Sequence, residues 1–175
     1  MTTYSYDNVD QRVEQLLARF SGGSICTVSL LCDDYDVDQM AYRLIGEDLS
    51  ATDYSYGQLR EASEKFAGAL KALGVGKGDR VATLMGKSWS YLVTVMGIWR
   101  LGAVHVPLFT AFAPPAIALR VTGSNTKVIV CDAAQQSKLA PGDDIPADAP
   151  WRVITTGDAQ GDDLSFINSW LLLSL

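Results

Sequence analysis

The stretch LGVGKGDRVATLMGKS, residues 73–88, carries four glycines, two lysines and a Gly-Lys-Ser, the residue types that cradle a phosphate. Such a cradle turns backbone N–H groups toward an anion at the start of a helix, so its place between elements decides the chemistry. GVGKGD follows a helical pattern and leads into a strand, the reverse of a dinucleotide-binding G-x-G-x-x-G. Its amides then lie near a helix C-terminus, the end that repels anions. Gly86-Lys87-Ser88 does sit between a strand and a helix. A P-loop needs another glycine five residues before Gly86, and Val81 holds that place. The first part is expected to be a helix stop and turn, the second an incidental match, and neither a phosphate cradle.

Other reactive side chains are sparse. His105 is the one histidine, so a Ser-His-Asp arrangement could be built only around it. Between Val104 and Val106 in a strand pattern it is either a catalytic base or a packed strand histidine, and the absence of a nucleophile or acid beside it favours packing. Asp33, Asp34, Asp36 and Asp38 suggest calcium, but they lack the central glycine and terminal glutamate of such a loop and are expected to be solvated. Cys26, Cys32 and Cys131 include no C-x-x-C, which excludes a disulfide framework and a zinc knuckle. No metal ligand set and no catalytic residue is expected.

A net charge of −6 with scattered Lys and Arg argues against nucleic acid, which requires a basic patch. No apolar run approaches the roughly 20 residues of a membrane span, and MTTYSYDNVDQ is not a signal peptide. A cytoplasmic location is expected.

The elements that must position these residues follow from hydrophobic period. Residues 9–20 place Val9, Val13, Leu16, Leu17 and Phe20 on one helical face. Two short strands flank a polar turn within residues 40–56. Ser55 and Gln58 form a capping box for a helix carrying Leu59, Ala62, Phe66, Ala69, Leu70 and Leu73, with Gly74 as its stop. Residues 80–85 form a strand, and Ser88 opens a helix ending near Gly102. Its Trp89, Val93, Met96 and Leu101 are read as core. Strands at 103–109, 127–132 and 151–157 and a proline-started helix after Ala113 complete the pattern. Helices alternating with nearly continuous apolar strands predict an α/β fold, a mostly parallel sheet flanked by helices.

YSYGQLREASEKFAGALKALGVGKGDRVATLM, GIWRLGAVHVPLFTAF and KVIVCD, in this order, resemble the AMP-forming acyl-CoA synthetases of the adenylate-forming superfamily. GAVHVPLF is more similar to the acetyl- or propionyl-CoA synthetase side. The resemblance implies a partial N-terminal domain of the adenylate-forming fold over residues 41–165, preceded by a helix and irregular segment at 1–40 and followed by an unassigned tail at 166–175. It implies a parent reaction in which a carboxylate and Mg-ATP give an acyl-adenylate and coenzyme A then displaces AMP.

The Ser/Thr/Gly-rich loop ending in Pro-Lys-Gly is absent. TTGDAQGDD at 155–163 has no lysine and three acids, Asp158, Asp162 and Asp163, which repel a triphosphate. SGGS at 21–24 is too short. The catalytic lysine of the C-terminal domain is missing too, and FINSWLLLSL reads as an abrupt end. The expectation is a truncated synthetase, inactive alone, to which ATP, Mg and coenzyme A do not bind well.

For coenzyme A the resemblance implies Phe109 as an adenine neighbour, where FTAF stands for the family branch's Phe-Gly-Gly-Phe; core packing is the simpler reading of its residue type. Two arginines that follow the KVIVCD strand in that branch are replaced by AAQQSK, leaving Lys138, otherwise read as a solvated lysine. Arg120 is read as packing or pairing locally. Two alternatives stand: a module that self-associates or joins the remaining synthetase domains through unpaired edges and apolar faces, or a stand-alone nucleotide-binding domain.

Overall fold

A computed structural model describes residues 8–22 and 25–166. The tail of residues 167–175 and part of SGGS lie outside the described residues.

Strands β3 (Arg80–Leu84), β4 (Val104–Pro107), β5 (Thr126–Cys131), β6 (Arg152–Thr155) and β7 (Leu164–Ser165) form one parallel sheet in the order β4-β3-β5-β6-β7. The period-2 pattern decides its two faces. Val81, Val128, Val130 and Ile154 point into one core, and Ala82, Leu84, Ile129, Cys131 and Val153 into the other. The first core is closed by α2 (Tyr56–Ala72) and α3 (Trp89–Arg100) through Leu59, Phe66, Leu70, Val93 and Met96. The second is closed by α4 (Pro114–Gly123) and the following loops, through Ile117, Val121, Leu139 and Trp151.

Local signals start and stop these helices as the residue types require. The Ser55 hydroxyl accepts from Gln58 N–H at 3.2 Å, and the Gln58 amide oxygen accepts from Ser55 N–H at 2.8 Å. Ser88 caps α3. Gly74 and Gly102 take φ of +81° and +64° at the helix ends, a conformation in which a β-carbon is strained. Gly97 lets α3 approach α2 closely, since a β-carbon there would meet the Phe66 ring at 2.8 Å. Pro107 lies on edge strand β4, where the missing N–H interrupts no ladder and blunts the edge.

Two features depart from the sequence reading. Helix α1 (Val9–Phe20) forms, yet its apolar stripe stays uncovered, with Val9, Val13, Leu16, Leu17 and Phe20 all exposed. Asp33 is not a solvated acid. It ends a π-helical turn (Ser29–Asp33), and its carboxylate receives both Arg100 Nη atoms, at 2.6 and 2.9 Å. Arg100 also donates to Ser63 Oγ at 2.9 Å, and Arg60 Nε lies 3.4 Å from Asp33. This network ties the segment before the hairpin β1 (Met40–Ile45) and β2 (Ala51–Ser55) to both α2 and α3.

Burial would raise the Asp33 pKa, but the Arg100 hydrogen bond and the Arg100 and Arg60 charges outweigh it and hold the carboxyl below its ordinary range. Its stabilisation is therefore complete above the unfolded value near 3.8 and disappears as pH falls through the lower folded value. Replacing Arg100 by alanine leaves this half-buried carboxylate without its main partner, at a cost of about 3 kcal/mol. In urea unfolding, the gap between wild type and R100A should be full near neutral pH and shrink in acid. A pH-independent gap would contradict the ion-pair account.

Candidate functional site

In an open parallel sheet, ligands favour the crevice outside the carboxyl ends where neighbouring strands send their connections in opposite directions. Here that point lies between β3 and β5. It is closed by the protein itself: Gly86 N–H donates to Asp132 Oδ2 at 2.6 Å. The GVGKGD amides are also engaged. Gly76 N–H donates to Asp79 at 2.8 Å, and Gly78 N–H to the Gly102 carbonyl at 2.9 Å. These glycines therefore turn the chain, as their order relative to helix and strand implies.

The 155–163 loop is likewise pinned to the 3-10 segment Ala133–Leu139. Ala133 N–H donates to Thr156 Oγ1 at 3.2 Å, and Gln136 donates to Asp163 at 2.7 Å. Gly157 passes so near Ala133 that a β-carbon would lie 2.6 Å from that methyl.

His105 is a packed strand histidine. Its Nε2 lies 2.7 Å from Thr83 Oγ1 across the β3–β4 pair, and its ring meets Tyr91 edge-on. Burial pushes its pKa below the ordinary value. Burial also lifts the Cys131 thiol to about 12 and the Cys32 thiol to about 11, which makes both poor nucleophiles. Among the described residues no three His, Cys, Asp or Glu side chains group to hold a metal ion.

The structure brings Phe109 and Lys138 to one place, though neither stands as the residue types alone suggested. Phe109 is not in the core: it is 73% exposed. β4 ends at Pro107, Leu108 turns inward, and Phe112 N–H closes a turn onto the Phe109 carbonyl at 2.9 Å, leaving the Phe109 ring outside. Its edge contact is Phe112, whose face carries the Arg120 guanidinium at 4.1 Å. Arg120 also donates to the Ala116 carbonyl, so it packs and pairs locally. Lys138 is half-buried rather than solvated, and its Nζ donates to the Thr110 carbonyl next to Phe109.

Beside this loop a cleft of about 330 Å³ opens at the carboxyl ends of β3 and β4. Thr83, Tyr91, Lys87 and Phe109 are among the residues that line it. Sequence reasoning missed Thr83 and Tyr91 here, because one reads as a buried strand residue and the other as part of a helix, and only the folded β3–α3 connection brings both to one cleft. Lys87 was visible only within the Gly-Lys-Ser that fails as a P-loop.

A parallel sheet with both faces covered by helices and loops defines the α/β class; residues 37–167 match the AMP-binding enzyme family model, and the chain belongs to that family. It is 33% identical over 119 residues to the acetyl-coenzyme A synthetase of Chlorobaculum tepidum, an alignment covering 65% of this chain and 18% of that enzyme. With the acetyl-coenzyme A synthetase of Sodalis glossinidius it shares 42% over 94 residues, 53% of this chain and 14% of that protein. The crystal structure of Brucella canis acyl-CoA synthetase superposes with a TM-score of 0.81 at 30% identity, covering 95% of this chain and 32% of that one. The chain thus spans about a fifth of the first relative and a third of the solved structure. The chain is similar to acyl-CoA synthetases over this part of their length. No helix among the described residues is long and apolar enough to cross a membrane.

Because His105 is the one histidine, its imidazole proton can be followed by NMR without assignment. The midpoint should lie below 6.5 in the folded chain. The unfolded chain binds the proton first as pH falls, so stability should drop between 6.5 and the lower folded value and then level off. A midpoint at or above 6.5 would overturn the buried assignment.

Proposed function

We propose that this chain is a portion of an AMP-forming acyl-CoA synthetase of the acetyl- or propionyl-CoA synthetase type, acting as scaffold and coenzyme A wall rather than as a catalyst by itself. The observation that carries this reading is the 0.81 superposition over 95% of the chain onto a third of an acyl-CoA synthetase. In the parent reaction, Mg-ATP and a carboxylate give an acyl-adenylate, which coenzyme A resolves. Residues 41–165 are the partial AMP-binding domain, residues 1–40 the helix and irregular segment that precede it, and residues 166–175 a tail without assignment.

Adenylation requires donors preorganised around the triphosphate and its metal. The chain has no Pro-Lys-Gly loop, and the nearest composition, residues 155–163, spends its threonine hydroxyls and Asp163 on internal hydrogen bonds. Phe109 and Lys138 lie in the coenzyme A vicinity, Phe109 as an adenine neighbour and Lys138 as the holder of its loop. A cytoplasmic location accords with three unpaired cysteines.

The purified chain should show no carboxylate-dependent exchange of pyrophosphate into ATP. Exchange above a heat-killed control would overturn the scaffold reading.

Association is a second reading, favoured by the uncovered stripe of α1. A face of five exposed apolar side chains promotes contact with another chain. Light scattering across a concentration series should show mass above the 18.9 kDa of one chain, reduced by Leu17→Glu. A monomer at every concentration would dismiss association.

A further inference from the structure

We propose that the cleft between the segment entering β6 and the segment entering β7 binds an aliphatic diamine, with its ammonium groups on carboxylates and its methylenes on an apolar floor. This site goes beyond the coenzyme A reading. It shares no lining residue with the cleft beside Phe109, and it lies at the amino ends of β6 and β7.

The cleft encloses about 560 Å³, within the range of small-molecule sites. Leu139, Ile145, Trp151 and Val153 line it and belong to the second core, so its floor is apolar. Such a floor takes methylene groups out of water and demands no hydrogen bond. Three carboxylates stand around it: Asp148 on the segment before β6, and Asp162 and Asp163 on the segment before β7. Asp148 and Asp162 are exposed, and their side chains make no hydrogen bond or ion pair among the described residues. Asp163 is half-buried, and Gln136 donates to its Oδ2 at 2.7 Å, which leaves Oδ1 to accept from a ligand.

The number of charges and their spread choose the ligand. Arg152 is the one cation lining the cleft among the described residues, so three carboxylates face one guanidinium and a dication balances the excess. A single ammonium would leave half of that excess unpaired. The acids do not group closely enough to hold a metal ion, whereas a flexible chain with an amine at each end reaches from one segment to the other.

NMR of the whole chain at low ionic strength tests this, with putrescine as probe, n-butylamine at equal concentration and magnesium chloride at equal ionic strength. Putrescine should shift the Trp151 indole N–H and the amides of Gly161, Asp162 and Asp163, while those of Phe109 and Thr110 stay in place. Asp148→Asn and Asp162→Asn should each weaken binding about threefold, as one exposed charge contact does. Arg152→Gln should tighten it. Circular dichroism checks that the variants keep the fold. If butylamine or magnesium shifts these signals as putrescine does, or if both asparagine variants bind as wild type does, the diamine assignment is overturned. Absence of any shift at these residues overturns it as well. The coenzyme A reading stands or falls separately, since none of its residues lines this cleft.

Discussion

Strand β3 must bury both of its faces and bond on both of its sides, and the rest of the structure depends on that constraint. Val81, Ala82, Thr83 and Leu84 are each at most 1% exposed, with β4 on one side and β5 on the other. A parallel strand cannot close such a sheet by hairpins, so each neighbour must be reached through a helix that covers one face. The α2–α3 layer and the α4 layer are the two consequences. Where β3 ends, the chain leaves both cores, and the cleft lined by Thr83, Met85 and Lys87 opens there.

Glycine and charge are used mainly for architecture. Gly74 and Gly102 reverse the chain at positive φ, and Gly97 sets the approach of two helices. The amides that a phosphate would need are taken by Asp79, Asp132 and the Gly102 carbonyl. Asp33 and Arg100 work in the same way, as a half-buried pair that fastens the segment before the hairpin to the two helices. Both ions lose water to form such a pair, so removing one partner costs more than the intact pair contributes on balance.

Much of the fold was legible in the sequence. The capping box at Ser55, the stop at Gly74, the prolines opening α4 and the apolar runs of β3 and β5 are local signals, and the structure carries each of them. Strand β7 was not legible, since two residues have no period. The exposed stripe of α1 was not legible either, because amphipathic spacing states that a face wants cover and not whether the described chain supplies it. The acids at 33–38 looked alike in sequence, and only Asp33 found arginines, one of them 67 residues away.

The candidate site divides along the same line. Residue order alone determined that the Gly-rich stretch is a turn, because an anion cradle requires a helix start and GVGKGD stands at a helix end. Phe109 and Lys138 could be named, but their surroundings could not. A phenylalanine after an apolar strand is ordinarily core, and a lysine among glutamines is ordinarily solvated. The turn that closes at Phe112 put the ring outside, and the parallel order β4-β3-β5 brought the Lys138 amine to a carbonyl 28 residues away. Periodicity and caps act over a few residues and so are written in the chain, whereas strand order brings distant loops together and belongs to the tertiary structure.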